Sequence, residues 1–349
     1  MDQSSQASSL LSTAPSASTS FLDNRQAAKN RVDGYAPKSS DDYTATLLRT
    51  LLDHKTVIGL SGFKNLIDDV IKTPDLGLLA EHYMTSIFVP CTMTDSRLRK
   101  KIESHFSEPN RFPFSFKARG GTPTALPTPR PGGFDDVDDI AAEIVSQKRD
   151  QQRLKKMCLD RDGGRCMVTG FTDHKRFPAD ERSIRTQAVH IIPFSLGDFG
   201  EAQRRSISTS WDAIYRMFPD IRSRINFSAN SINETRNVMT MSENLHPTFG
   251  EFGFCFIETE RPNHYRIEKH QVTWGVGRDL PEYVTFTAHS GFHELPSPEL
   301  LRIHAAITRV LHASGLAEAI DGMLRERQML RCFAEDGSTP VSRLFLGVF

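Results

Sequence analysis

Residues 107–133, SEPNRFPFSFKARGGTPTALPTPRPGG, hold six prolines and four glycines. Proline fixes φ and has no N–H to donate, and glycine loses the most entropy on ordering, so no helix or strand is expected there. The chain must therefore fold as pieces on either side of a linker. Before it, residues 1–40 are rich in Ser, Ala and Thr and poor in large apolar groups. That composition predicts a disordered tail, because little surface is available to offset the entropy of ordering. From Asp41, DDYTATLLRTLLDHKTVI puts Leu47, Leu48, Leu51 and Leu52 on one helical face behind two aspartates that suit a helix N-terminus. Further helical pieces at NLIDDVI and SRLRKKIESHF complete a helical region over 41–106.

Beyond the linker, FDDVDDIAAEIVSQKRDQQRLKKMCLDRD reads as one helix, acidic at its start and basic at its end, as the macrodipole prefers. After the turn RDGGRC the periodicity shortens. RCMVTG, TQAVHIIPF and NVMTM read as short strands, and EFGFCFIE alternates Phe252, Phe254 and Phe256 with small or polar neighbours. STSWDAIYRMF has helical spacing behind a Ser/Thr cap. Near the end, Ser297 is the expected N-cap, Pro298 takes N1, Glu299 falls in the first turn, and Leu300, Ile303, Ile307, Val310 and Leu311 share a face until Gly315. LAEAIDGMLRERQML then predicts a second helix packing back as an α-hairpin within an extension over 291–349. The predicted class is α+β, without internal repeats.

A chain of 349 residues suffices for about two domains. Lys plus Arg equals Asp plus Glu, 43 against 43, so the whole-chain charge points to no polyanionic partner. Residues 148–236, however, hold seventeen Lys/Arg against eleven Asp/Glu, which makes the central segment the expected surface for a polyanion. Five scattered cysteines without a CxxC pair argue against a disulfide framework or a four-cysteine zinc site. No run approaches a membrane span, and the first twenty residues have neither a basic nor an apolar leader region. An intracellular location is expected, nucleus or cytoplasm unassigned.

Three residues gain meaning jointly: His190 in AVHIIPFS, Asn237 in NETRNVMTM and His246 in SENLHPTFGEF. Singly, a strand histidine is most often a satisfied core residue and an asparagine before a strand a turn residue. Their order, however, with RDGGRCMVTG ahead of them and SPELLRIHAAITRVLHASG behind, resembles the HNH nuclease domain found in many fungal proteins, over about residues 135–330. The resemblance implies a ββα-metal nuclease core within residues 134–290, flanked by helices. It implies His190 as general base, Asn237 as the residue that orients it or its loop, and His246 as ligand of a divalent ion, Mg²⁺ first and Mn²⁺, Ni²⁺ or Zn²⁺ as alternatives. Burial beside Val189, Ile191 and Ile192 is expected to keep the His190 ring neutral.

This chain departs from the family's better-known pattern in two places. Val189 stands where an acidic residue or histidine usually precedes the base, and Gly250 where an aspartate often follows the helix motif. Glu251 is the first candidate for the second ligand, with Asp173 and His174 as others. Arg161, Arg165, Lys175 and Arg236 are the basic side chains expected on the nucleic-acid backbone. Cys158 and Cys166 are expected to be core thiols, Asp160 and Asp162 turn residues, His264 an exposed strand residue, and His304 and His312 polar-edge residues. The expected function is a metal-dependent endonuclease, with DNA ahead of RNA as substrate. A degenerate domain that binds nucleic acid or protein without catalysis is the alternative.

Overall fold

A computed structural model describes residues 17–40, 42–92, 137–148, 150–270 and 280–317. The helical N-terminal part comprises α1 (Ala17–Asp33), α2 (Thr44–Asp53), the short α3 (Lys55–Ile58), α4 (Leu60–Lys72) and α5 (Leu76–Tyr83). A wide turn over Met84–Phe88 leads from α5 into the short α6 (Val89–Thr92). In α2 the four predicted leucines are buried, and the Asp42 carboxylate accepts from the Thr44 N–H at 2.9 Å.

Helix α1 corrects the expectation of a disordered tail over its own residues, 17–33; residues 1–16 lie outside the described ones. Ala28 and Val32 are buried, and the Phe21 ring packs edge-on to Phe63 with centroids 6.4 Å apart. The Arg31 guanidinium donates to the carbonyls of Val70, Ile71, Thr73 and Pro74 at the end of α4. Those carbonyls lack partners within their own helix and sit at its negative pole, so one arginine satisfies them and fastens α1. The Ser/Thr/Ala content of the segment hid the apolar spacing of Phe21, Ala28 and Val32.

The single helix expected over 134–162 is two, α7 (Val137–Glu143) and α8 (Gln151–Arg161). Between them the backbone exchanges helical partners for tertiary ones: Val145 N–H donates to Asn230 Oδ1 and Gln147 N–H to the Gly197 carbonyl, both at 2.7 Å. Asp150 then caps α8 by accepting from Arg153 N–H at 3.1 Å. The predicted linker over 107–133, the helix at SRLRKKIESHF and the C-terminal helix beyond Ala317 lie outside the described residues.

The segment carrying the three singled-out residues is mixed. β1 (Thr186–His190) and β2 (Val238–Ser242) pair antiparallel, with His190 opposite Val238, and α11 (Leu245–Gly250) follows β2 directly. Between the strands lie α9 (Arg204–Met217), longer than STSWDAIYRMF predicted, and α10 (Asp220–Ser223). RCMVTG contributes only the isolated bridge Arg165↔Thr172. A second antiparallel sheet has the order β3 (Phe254–Glu258), β4 (His264–Lys269), β5 (Tyr283–Thr285). α12 (Pro298–Ala313) lies against β3 with its predicted apolar face buried, and Gly315 beyond it adopts φ +70°. The class is α+β, as expected. No helix among the described residues is long and apolar enough to cross a membrane.

One continuous apolar core joins the N-terminal helices to the mixed part, from Leu47 and Phe63 through Trp211 and Met239 to Leu300. A polar clasp crosses the same boundary. The Arg216 guanidinium of α9 pairs with the buried Asp69 carboxylate of α4, the Tyr83 hydroxyl donates to that carboxylate at 2.8 Å, and Asn65 Nδ2 donates to the Arg216 carbonyl at 2.8 Å. Gly62 lets α4 come this close, since a Cβ there would lie 1.9 Å from the Met217 carbonyl oxygen. Removing one partner of a buried pair strands the other charge. Asp69→Ala is therefore expected to lower stability by about 3–5 kcal/mol in urea denaturation, with Asp69→Asn falling between it and the wild type.

Candidate active site

β1 ends at His190, and α11 places His246 in its first turn; antiparallel pairing of β1 with β2 delivers the start of α11 beside β1. Both rings line one cavity of about 30 Å³, together with Ala188, Pro193, Phe194 and Phe249. The cleft has room for water. Both histidines are half-buried, so the cavity wall can be reached from solvent.

Asn237 is fully buried and does not bond His190 directly. Its Oδ1 accepts from Ile192 N–H at 2.8 Å, and its Nδ2 donates to the carbonyls of Ile192 at 3.0 Å and Ile232 at 2.9 Å. It thus pins the backbone just beyond His190, where the chain leaves the ladder. Asn233, not anticipated from the sequence, does touch the ring. Its Nδ2 donates to the Lys148 carbonyl at 3.1 Å, which fixes the amide orientation, so its Oδ1 faces His190 Nε2 at 3.3 Å. An amide oxygen only accepts, so this contact is a hydrogen bond in the tautomer that carries its hydrogen on Nε2. His246 is set the other way. Its Nδ1 meets Gln187 Oε1 at 2.5 Å.

The ring of His246 is thereby held against β1 through Gln187. Among the described residues the cleft does not fit a hard divalent ion such as Mg²⁺, which takes oxygen ligands, because none of those lining it is a carboxylate. Val189 is buried in the core and offers no oxygen. Glu251 is exposed just past the end of α11 and is not among the lining residues. Asp173 is buried elsewhere and serves the fold: burial acts to raise its carboxyl, but bonds from Thr186 and Lys155 outweigh this and hold it below the usual range. His174 is exposed, with its ring on Ser183.

Of the four basic residues expected on phosphates, Arg161 is corrected outright. Its side chain has no exposure, and its N–H groups go to Asp162 and to the carbonyls of Thr235, Val238 and Glu294. A sequence cannot reveal that an arginine in a DRDGG turn faces inward. Arg236 is partly committed, donating to Glu234 and the Ile225 carbonyl. Arg165 and Lys175 are exposed, as are Arg182 and Arg185 on the same loop. Cys158 and Cys166 are core thiols as expected, and burial pushes the Cys158 thiol up to about 12. Asp160 is an exposed partner of Arg176 at 2.6 Å, and His264 stacks on Tyr283.

The polar-edge expectation for His304 and His312 is also corrected. The His304 ring is buried, lies flat on Phe249 with centroids 3.9 Å apart, and its Nε2 donates to the Phe249 carbonyl at 3.1 Å. One face of α12 further on, His312 Nε2 donates to the Phe252 carbonyl at 2.9 Å. Two histidines of α12 thus cap the C-terminal end of α11 and brace the helix that presents His246. The only hint in the sequence was their spacing of eight residues, which places both on one face.

The sequence profile of the HNH endonuclease family matches residues 166–257. The segment that holds His190, Asn237 and His246 is therefore an HNH endonuclease domain, of a family of nucleases that use a divalent metal. Comparison with curated proteins and with solved structures found no significant match.

Burial holds the His304 ring down to about 3 from its usual 6.5. The unfolded chain then binds more protons than the folded one between those values, so stability is full above about pH 6.5 and falls as the pH drops toward 3. In urea titrations across that range, His304→Leu is expected to show a shallower acid loss than the wild type.

Proposed function

We propose that the domain hydrolyses phosphodiester bonds in nucleic acid, DNA ahead of RNA, with His190 as general base. The observation that supports this most is that His190 and His246 line one cleft with room for water. A water there gives its proton to the His190 ring, and its oxygen attacks phosphorus as the leaving oxygen departs and is protonated from solvent. The Nε2–H bond to Asn233 keeps the ring from turning and stabilises the imidazolium that forms. Asn237 is a positioning residue, acting through the backbone at Ile192. Arg165, Lys175, Arg182 and Arg185 are the exposed cations we assign to backbone phosphates, which favours salt-dependent and sequence-tolerant binding. When bound, a divalent ion supplies charge neutralisation at the phosphate; His246 is the side chain placed to hold it, and Glu251 would have to approach from outside the present lining.

One observation favours a second reading. With no carboxylate lining the cleft, the domain would keep the HNH fold and bind nucleic acid without cutting it. A plasmid-nicking assay with Mg²⁺, Mn²⁺, Ni²⁺ or Zn²⁺ separates the two. Nicking by the wild type, reduced about 10²–10⁴-fold in His190→Ala, is the expected result; full activity in that variant would remove His190 as base. DNA retention by a wild type that cuts with none of the four ions would establish the binding module.

A further inference from the structure

On the sheet face near α12, Cys255 of β3 and Glu268 of β4 are direct cross-strand partners, and His270 follows two residues after Glu268. Direct partners on antiparallel strands share a face, and His270 stands just past the end of β4. The pairing register therefore brings a thiol, a carboxylate and an imidazole together, and their donor atoms all lie within 4.8 Å of one another. Among the described residues this is the one place where three metal-ligating side chains converge so closely.

We propose that Cys255, Glu268 and His270 bind a soft divalent cation of the zinc type, at a site separate from the His190 and His246 cleft, with water completing the shell. Thiolate and imidazole donors select such an ion over Mg²⁺ or Ca²⁺. The spacing is close to what the ion requires. His270 Nε2 and Glu268 Oε1 are 3.1 Å apart, and two tetrahedral ligands at zinc–nitrogen and zinc–oxygen distances of about 2.0–2.2 Å stand about 3.3 Å apart.

The surroundings of Glu268 direct the ion to that position. A carboxylate has about four lone-pair sites. Arg309 of α12 takes one on each oxygen at 2.7 Å, and Arg266 takes a second on Oε2 at 3.0 Å. The remaining site, on Oε1, faces His270. The His270 ring is braced by stacking on His312 with centroids 4.6 Å apart. Binding moves the ring hydrogen from Nε2 to Nδ1 and releases the Cys255 proton to solvent, so affinity falls with falling pH. Through Arg309 and His312 the occupied site would fasten β3 and β4 to α12.

The full-length protein, stripped of metal with a chelator and titrated with Co²⁺, tests this without reference to nuclease activity. The expected result is a thiolate-to-cobalt absorption band that saturates near about one equivalent, disappears when Zn²⁺ is added, and persists in His246→Ala. Cys255→Ser should abolish the band, and His270→Gln should weaken cobalt binding at least about 10-fold. Absence of the band in folded wild type, or an unchanged band in Cys255→Ser, overturns the proposal. If Cys255→Ser fails to fold, His270→Gln decides: unchanged affinity overturns the site and weakened affinity supports it.

Discussion

A guanidinium with no access to water sits at the centre of the nuclease domain, and the ββα unit is assembled around it. Arg161, at the end of α8, forms a two-point pair with Asp162 at 2.6 and 3.0 Å and donates to the carbonyls of Thr235, Val238 and Glu294. Asp162 in turn accepts from the Thr240 N–H of β2 at 3.1 Å. A charge this deep persists only when it is paired and its donors are spent. Here the donors are spent on the turn before β2, on β2 itself and on the strand-free segment leading to α12. The same few atoms therefore set where β2 runs, and with it where Asn237 and His246 fall.

From that centre the order of the site passes outward by short hydrogen bonds. Asn237 transmits the position of β2 to the backbone after His190, Asn233 ties the His190 ring to the loop before α8, and Gln187 ties β1 to His246. α12 closes the arrangement from the far side, with aromatic stacking of His304 on Phe249 and two histidine bonds to the end of α11. Each partner is an amide, a backbone carbonyl or an imidazole ring, so the support of the site depends little on surface ion pairs that salt would screen.

Much of this was legible in the sequence where periodicity and local order carried the information. The leucines of α2, the strands around His190 and Asn237, the entry of α12 at Pro298 and the HNH order of His190, Asn237 and His246 follow from spacing alone or from spacing plus resemblance. What could not be read was set by contacts between distant segments. Nothing near Arg31 shows that its partners are four carbonyls some forty residues on, and nothing near Arg161 shows that its charge turns inward. The break between α7 and α8 likewise depends on Asn230 and Gly197, far along the chain. Gln187 and Asn233 are ordinary polar residues until the fold sets them against the two histidines.

The clasp of Asp69 and Arg216 has a bearing on what counts as the unit of inheritance. Arg216 lies inside the segment that matches the HNH family, residues 166–257, while Asp69 lies far outside it. The buried ring of His304 beneath Phe249 also comes from outside that segment. A gene fusion or excision at the edges of the family match would transplant the catalytic vocabulary and leave behind the charges and rings that complete it. In this protein the family match and the folding unit have different borders, and the wider one is what holds His190 and His246 in place.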